Sequence, residues 1–203
     1  MGKIFYIMGK SASGKDKIYS RLLKEKSLCL QKLILYTTRP IREGEENGKQ
    51  YFFVDDSRLR EFQETNRLIE ARAYQTVHGV WTYFTADDGQ MNLEESDYLG
   101  IGTLESYMKM KEYYGEDRIR PIYIEVEDGE RLTRALLREK KQTSPKYAEM
   151  CRRYLADEAD FSEENIRRAG ITRRFVNGDL ELCVEEITGY IRCENSPGSI
   201  CSE

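Results

Sequence analysis

Apolar residues along this chain fall into two rhythms. Short apolar runs, the length of buried strands, occupy residues 4–8, 32–37, 50–54, 68–75, 80–85, 97–102, 119–126 and 173–177. Between them lie longer stretches whose apolar positions recur at helical spacing: residues 16–26, 55–66, 103–114, 128–140, 144–170 (kinked along its course) and 180–192. The punctuation agrees. Asp55-Asp56-Ser57 and Asp128 are capping residues, Ser144-Pro145 is a helix start, and Gly115 is a helix stop. Strand and helix alternate, so the pattern predicts an α/β protein with crossover helices around a sheet. Residues 34–85 break the rhythm, with several strands, an irregular Gly/Pro-marked loop at 39–49 and one short helix. They are expected to form a small β-rich lobe inserted into the larger sheet. Residues 1–33 and 86–192 are assigned to the core, with about 134–155 as a helical excursion, and 193–203 to a disordered tail.

The first strand runs straight into Gly9-Lys10-Ser11-Ala12-Ser13-Gly14-Lys15-Asp16. A strand feeding a G-x-x-x-x-G-K loop that opens a helix is the arrangement that cradles nucleotide phosphates. Glycine lets the backbone curl until successive N–H groups face one anion, and the helix adds its positive end. Residues 9–16 are therefore assigned to ATP, with Lys15 as a mobile charge for the outer phosphates. Asp16 stands where a hydroxyl residue contacts Mg²⁺ in such loops. It is read either as a Mg²⁺ ligand or as a plain helix-start residue.

Composition narrows the classes. The 203 residues carry a net charge of −4, so there is no general basic field for nucleic acid and phosphate binding must be local. No apolar run approaches the ~20 residues needed to cross a bilayer, and the stretch after Lys3 is too short for a signal peptide. Five scattered cysteines (Cys29, Cys151, Cys183, Cys193, Cys201), with no C-x-x-C pair, suit a reducing cytoplasm, Cys193 and Cys201 being read as exposed tail thiols. His78, the one histidine, falls in an expected turn and is given no role.

A second signature carries more. Thr37-Thr38-Arg39, Arg42-Glu43-Gly44-Glu45, Gly48 and Tyr51 place two arginines three apart with a tyrosine close by, a set that can converge on one phosphate. With these residues the chain resembles the guanylate kinase family, whose signature reads T-T-R-x-x-R-x-G-E-x-x-G-x-x-Y. Leu68-Ile69-Glu70 resembles that family's segment ending in a guanine-binding Glu. Phe175-Val176-Asn177-Gly178-Asp179-Leu180 resembles its closing V-N-x-D-L, and Arg134 and Arg138 resemble lid arginines. The similarity spans residues 3 to about 192 and is dense at 4–16 and 36–54.

The resemblance implies a P-loop NTPase fold of three layers around a parallel sheet, with an inserted nucleoside-monophosphate lobe and a helical lid. It implies transfer of phosphate from ATP to a nucleoside monophosphate, GMP in the first place, with Mg²⁺. Arg39, Arg42 and Tyr51 would hold the acceptor phosphate, and Glu70 would accept from guanine N1–H and the 2-amino group. Thr82 and Tyr83 would complete the acceptor site, and Asn177 would join the ATP site. Lys15, Arg39, Arg138 and Arg152, with Arg134 and Arg153 beside them, would neutralise the transferred group. Three departures stand out. Gly100 and Gly102 replace an acidic pair, Leu35 replaces a serine, and Gly79-Val80-Trp81-Thr82-Tyr83 aligns with G-x-Y-Y-G, leaving open which side chain faces the substrate. Two rival readings remain, a kinase of the same fold acting on another phosphorylated compound and a non-catalytic binding module, and monomer and homodimer are both open.

Overall fold

The structure, a computed structural model, describes residues 2–76 and 79–195. Its elements begin with β1 (Ile4–Met8), α1 (Lys15–Lys24), β2 (Gln31–Lys32), β3 (Tyr36–Thr37), β4 (Phe52–Phe53) and α2 (Asp56–Glu64). They continue with β5 (Leu68–Thr76), β6 (Gly79–Ala86), β7 (Tyr98–Ile101), α3 (Leu104–Tyr114) and β8 (Ile119–Glu125). The last part holds α4 (Asp128–Lys140), α5 (Tyr147–Asp160), α6 (Glu163–Arg168), β9 (Arg174–Val176) and α7 (Leu180–Asn195).

The unbroken apolar run of β1 is buried at all five positions, as a strand covered on both faces must be. It lies at the centre of a five-stranded parallel sheet ordered β2-β7-β1-β8-β9. Alternation splits its side chains between two cores. Ile4, Tyr6 and Met8 pack with Tyr107 and Met110 of α3 and with Phe161 and Ile166. Phe5 and Ile7 pack on the other face with Ile18 and Leu22 of α1 and Ile187 and Ile191 of α7. Helices therefore sandwich the sheet, which gives three layers. A second sheet, ordered β4-β3-β6-β5, has β6 antiparallel to both its neighbours and a separate aromatic core of Tyr36, Phe62 and Phe84.

Several sequence expectations need adjustment. Residues 32–37, expected to be one strand, serve two sheets. Leu33 N–H donates to Leu99 O (3.0 Å) in the first, and Phe52 N–H donates to Leu35 O (2.9 Å) in the second. Leu33 and Leu35 are buried in two different places, so the apolar stretch between Lys32 and Thr37 shows no break, and that hides the crossing. The helix expected over 144–170 is two helices, since Phe161 turns inward to stack on Tyr123 (centroids 5.6 Å apart) and Ser162 caps α6. Glu127, not Asp128, caps α4 by accepting from the Gly129 and Glu130 amides. At the carboxyl end α7 continues to Asn195, so residues 193–195 are helical, and Cys193 is disulfide-bonded rather than a free tail thiol. His78, Cys201 and the rest of the expected tail lie outside the described residues.

The glycines that replace the acidic pair have a steric cause. Tyr6 is fully buried, and its ring lies across β7. A Cβ on Gly100 would sit 2.7 Å from Tyr6 Cδ2. One on Gly102 would run into the Tyr6 hydroxyl and come within 2.5 Å of Ser106 Oγ. That hydroxyl is 2.8 Å from Ser106 Oγ, and burial pushes its pKa up to about 12, so it remains protonated. Residues 6, 100 and 102 thus form one packing unit. Gly100→Ala is expected to cost about 1–3 kcal/mol in urea unfolding. In a Tyr6→Val background the same change should cost less by at least ~0.5 kcal/mol, the signature of coupled neighbours. Equal costs in the two backgrounds would contradict the packing argument.

Candidate active site

The loop between β1 and α1 is shaped by close approach. A Cβ on Gly9 would lie 2.6 Å from Ile124 O, and Gly14 sits at φ 86° at the start of α1, where a Cβ would meet Asn177 Nδ2. Ala12 also has a positive φ of 66°, and such left-handed residues turn successive amides toward one side. No side chain caps α1, so its first amides are left for a ligand. Asn177, expected at the ATP site, lies beneath the loop instead. It is buried, donates from Nδ2 to Ser13 O (2.7 Å), and ties the loop to β8 by donating its own N–H to Glu125 O (2.8 Å). Its place is that of a positioning residue.

Acidic side chains from α5 already face this loop. Ser11 N–H donates to Asp157 Oδ2 at 2.7 Å, and Lys10 Nζ pairs with Glu158 at 2.8 Å and Asp128 at 3.5 Å. Behind them lies Arg131, which the sequence reading passed over. Its side chain is 1% exposed, bonds Asp128 and Glu158, lies 3.7 Å from Asp157, and stacks 4.0 Å over the Tyr154 ring. An arginine at the apolar spacing of α4 reads as a core position with the wrong residue, and that was the available signal. A cavity of about 270 Å³ beside it is lined by Ser11, Arg131, Arg138, Arg153 and Tyr154.

Of the arginine motif, Tyr51 forms part of the opposite wall, whereas Arg39 and Arg42 do not line the cleft between the two. Arg39 is buried and holds Glu45 with both terminal nitrogens (2.7 and 2.6 Å), its guanidinium lying 5.4 Å over Tyr51 and 5.1 Å over Phe53. Arg39 draws the Glu45 carboxyl down to about 2, so the pair is ionised at any neutral or mildly acidic pH. Arg42 is exposed and lies 5.9 Å from the Trp81 ring. In the β5–β6 hairpin Glu70 pairs with Thr85, Arg72 with Tyr83 and Tyr74 with Trp81, so these six share one face. Thr82 belongs to the other face. It is buried opposite Ala73, its N–H donates to Thr38 Oγ1 at 2.9 Å, and its side chain is not on the lining of the cleft, contrary to the expectation from sequence.

Between these walls runs one cleft of about 1160 Å³. Lys15 and Asp16 line it from the phosphate loop, Tyr51, Arg72 and Tyr83 from the inserted sheet, and Arg152 and Arg153 from α5. Lys15 Nζ is 3.8 Å from the Asp16 carboxylate, whose side chain is 84% exposed. Glu70 is not on the lining. Its side chain is 3% exposed, accepts from Thr85 Oγ1 (2.9 Å), and is covered by Arg72, whose Nε donates to it at 3.0 Å. Of the lid arginines, Arg134 donates to Asn177 O (3.0 Å) and Arg138 is exposed beside the smaller cavity. Arg152 and Arg153 both bind Glu149, and Arg153 borders both cavities. Among the described residues no cluster of three His, Cys, Asp or Glu is arranged to hold a metal, and no helix is long and apolar enough to cross a membrane.

The sequence of the family described as Guanylate kinase matches residues 1–83, which contain the phosphate loop, the arginine motif and most of the hairpin. The guanylate kinase of Porphyromonas gingivalis is 30% identical over 190 residues, which cover 92% of this chain and 95% of that protein. That of Wolbachia sp. subsp. Brugia malayi is 28% identical over 194 residues, 94% of this chain and 92% of the other. The crystal structure of guanylate kinase from Anaplasma phagocytophilum shares the fold, with a TM-score of 0.62 at 22% identity over 98% of this chain and 88% of that one.

Asp157 occupies an amide that an anionic ligand would use. Asp157→Asn should therefore tighten ATP about tenfold in calorimetry, the equivalent of the ~1.5 kcal/mol net of a hydrogen bond to a charged group. Unchanged or weaker binding would show that the carboxylate does not compete.

Proposed function

This chain belongs to the guanylate kinase family, and we propose that it transfers the γ-phosphoryl group of ATP to GMP, giving ADP and GDP. The observation that carries this reading is the shared cleft. Lys15 of the phosphate loop and Tyr51, against which Arg39 packs, line the same cavity. A non-catalytic module would have no use for a formed phosphate loop facing an anion pocket.

The chemistry asks for positioning and charge neutralisation more than for covalent help. An oxygen of the GMP phosphate attacks the γ-phosphorus; that bond forms as the bond to the β–γ bridging oxygen breaks, and ADP carries away the electron pair. No general base is needed, because the acceptor phosphate is already ionised. The loop amides and Lys15 hold the donor phosphates. Arg39, rigid between Glu45 and two aromatic rings, orients the acceptor phosphate together with Arg42 and Tyr51. Arg153, with Arg138 and Arg152, approaches from α4 and α5 as charge gathers on the group in flight, and closure of those helices excludes water.

Mg²⁺ belongs to this reading as the partner of ATP, and it would supply positive charge to the ATP phosphates. The donor set fits a Mg²⁺ held mainly by phosphates and water, since Asp16 is the one carboxylate of residues 9–16 and it faces the cleft. A cytoplasmic setting, where both nucleotides are supplied, goes with the proposal.

In an ADP-release assay the chain should turn over GMP with ATP. Lys15→Ala should lower kcat by about 10²–10³-fold, the range for losing a preorganised electrostatic group. Arg39→Ala should chiefly raise the KM for GMP, by roughly 10–100-fold, as befits the loss of a charge-assisted phosphate contact. No turnover of GMP, or an unimpaired Lys15→Ala enzyme, would overturn the assignment. Asp16→Ala should raise the Mg²⁺ concentration for half-maximal rate about tenfold; an unchanged metal requirement would leave Asp16 a helix-start residue only.

A further inference from the structure

The base end of the acceptor site does not present the carboxylate that the resemblance implies. Glu70 is buried, satisfied by Thr85, and covered by Arg72. Arg72 lines the cleft between the phosphate loop and the aromatic face of the hairpin. We propose that Arg72, rather than Glu70, reads the acceptor base, and that it does so on the O6/N7 edge of guanine. The inference rests on the kinase reading given above.

The donor count supports it. A guanidinium carries five N–H groups and no acceptor. In Arg72, Nε donates to Glu70 Oε2 at 3.0 Å, Nη2 to Glu70 Oε1 at 3.4 Å, and Nη1 to Thr103 Oγ1 at 3.5 Å. One N–H remains on each of Nη1 and Nη2. Two donors on a planar fork match two adjacent acceptors, and guanine offers such a pair in O6 and N7. Adenine pairs its N7 with an amino group, which would face the fork donor to donor. Glu70 then acts through Arg72. Its carboxylate fixes the plane of the guanidinium from one side while Thr103 steadies it from the other, as a positioning residue does. Tyr74 and Tyr83 flank Arg72 on the same face, with ring centroids 5.7 Å apart, and form an apolar rim.

The two possible base readers select differently, and that makes the inference testable. A carboxylate reading N1–H and the 2-amino group rewards GMP, penalises IMP for its missing amino group, and rejects XMP, whose O2 would face it. An arginine reading O6 and N7 accepts all three, because they share that edge. Equilibrium binding of GMP, IMP, XMP, 7-deaza-GMP and AMP to the full chain, by calorimetry, reads this without relying on turnover. We expect GMP, IMP and XMP to bind within about tenfold of one another, and AMP and 7-deaza-GMP to bind at least about tenfold more weakly than GMP, the discrimination a bidentate base contact supplies. Arg72→Lys keeps the charge over Glu70 but loses the fork, and should erase the preference for GMP over 7-deaza-GMP. XMP rejected as strongly as AMP, or 7-deaza-GMP bound as well as GMP, would overturn the inference. GMP that binds but is never phosphorylated contradicts the kinase reading alone, and GMP that does not bind contradicts both.

Discussion

An anion has to sit in the curl between β1 and α1. Left-handed turns at Ala12 and Gly14 aim backbone amides inward, α1 adds its uncapped positive end, and Lys10 and Lys15 flank the opening. Such a concentration of donors within a folded chain is costly without a counter-charge. Asp157 and Glu158 of α5 supply one, and buried Arg131 holds both carboxylates in place. The same demand explains why the two α5 carboxylates, Asp157 and Glu158, face the loop.

The other end of the cleft shows how one side chain redirects several. Tyr6 at the centre of the sheet takes the space over β7 and leaves room only for glycine at positions 100 and 102. With no acids on that strand, nothing there offers a carboxylate to a base. Arg72 turns over Glu70 and reaches Thr103 at the start of α3. Positive charge thus replaces negative charge where the acceptor base would lie, while the phosphate end keeps its paired Arg39 and Glu45. On the proposed reading, phosphate chemistry and base choice are held by different parts of the chain, and only the second departs from what the resemblance implies.

Much of this was legible from residues alone. The strand–loop–helix at residues 4–24 follows from an apolar run, two glycines and a lysine, and the hairpin follows from alternation. What escaped has physical reasons. Leu33 and Leu35 are apolar whether one strand or two contain them, so the crossing between sheets left no mark. Thr82 and Tyr83 are neighbours on opposite faces, and which one meets the cleft depends on a register that spacing alone does not set. Asn177 matches a nucleotide-site motif, yet its side chain is buried and donates to Ser13 O from beneath the loop. Arg72 drew no notice because an arginine on a strand reads as a solvated charge, and Arg131 because a charged residue at a core spacing is easily set aside. Their burial, and the carboxylates they hold, exist only in three dimensions.

The central claim is that the phosphate loop and the arginine pocket open onto one cleft and bind donor and acceptor at once. An adenosine and a guanosine joined through five phosphates tests it most directly, because one molecule must span both pockets. The account predicts a Kd at least 100-fold below that for ATP or GMP alone, the gain expected when two sites are engaged by one linked ligand, and weakening by Lys15→Ala and by Arg39→Ala alike. Binding no tighter than ATP, or insensitivity to Arg39→Ala, would contradict it.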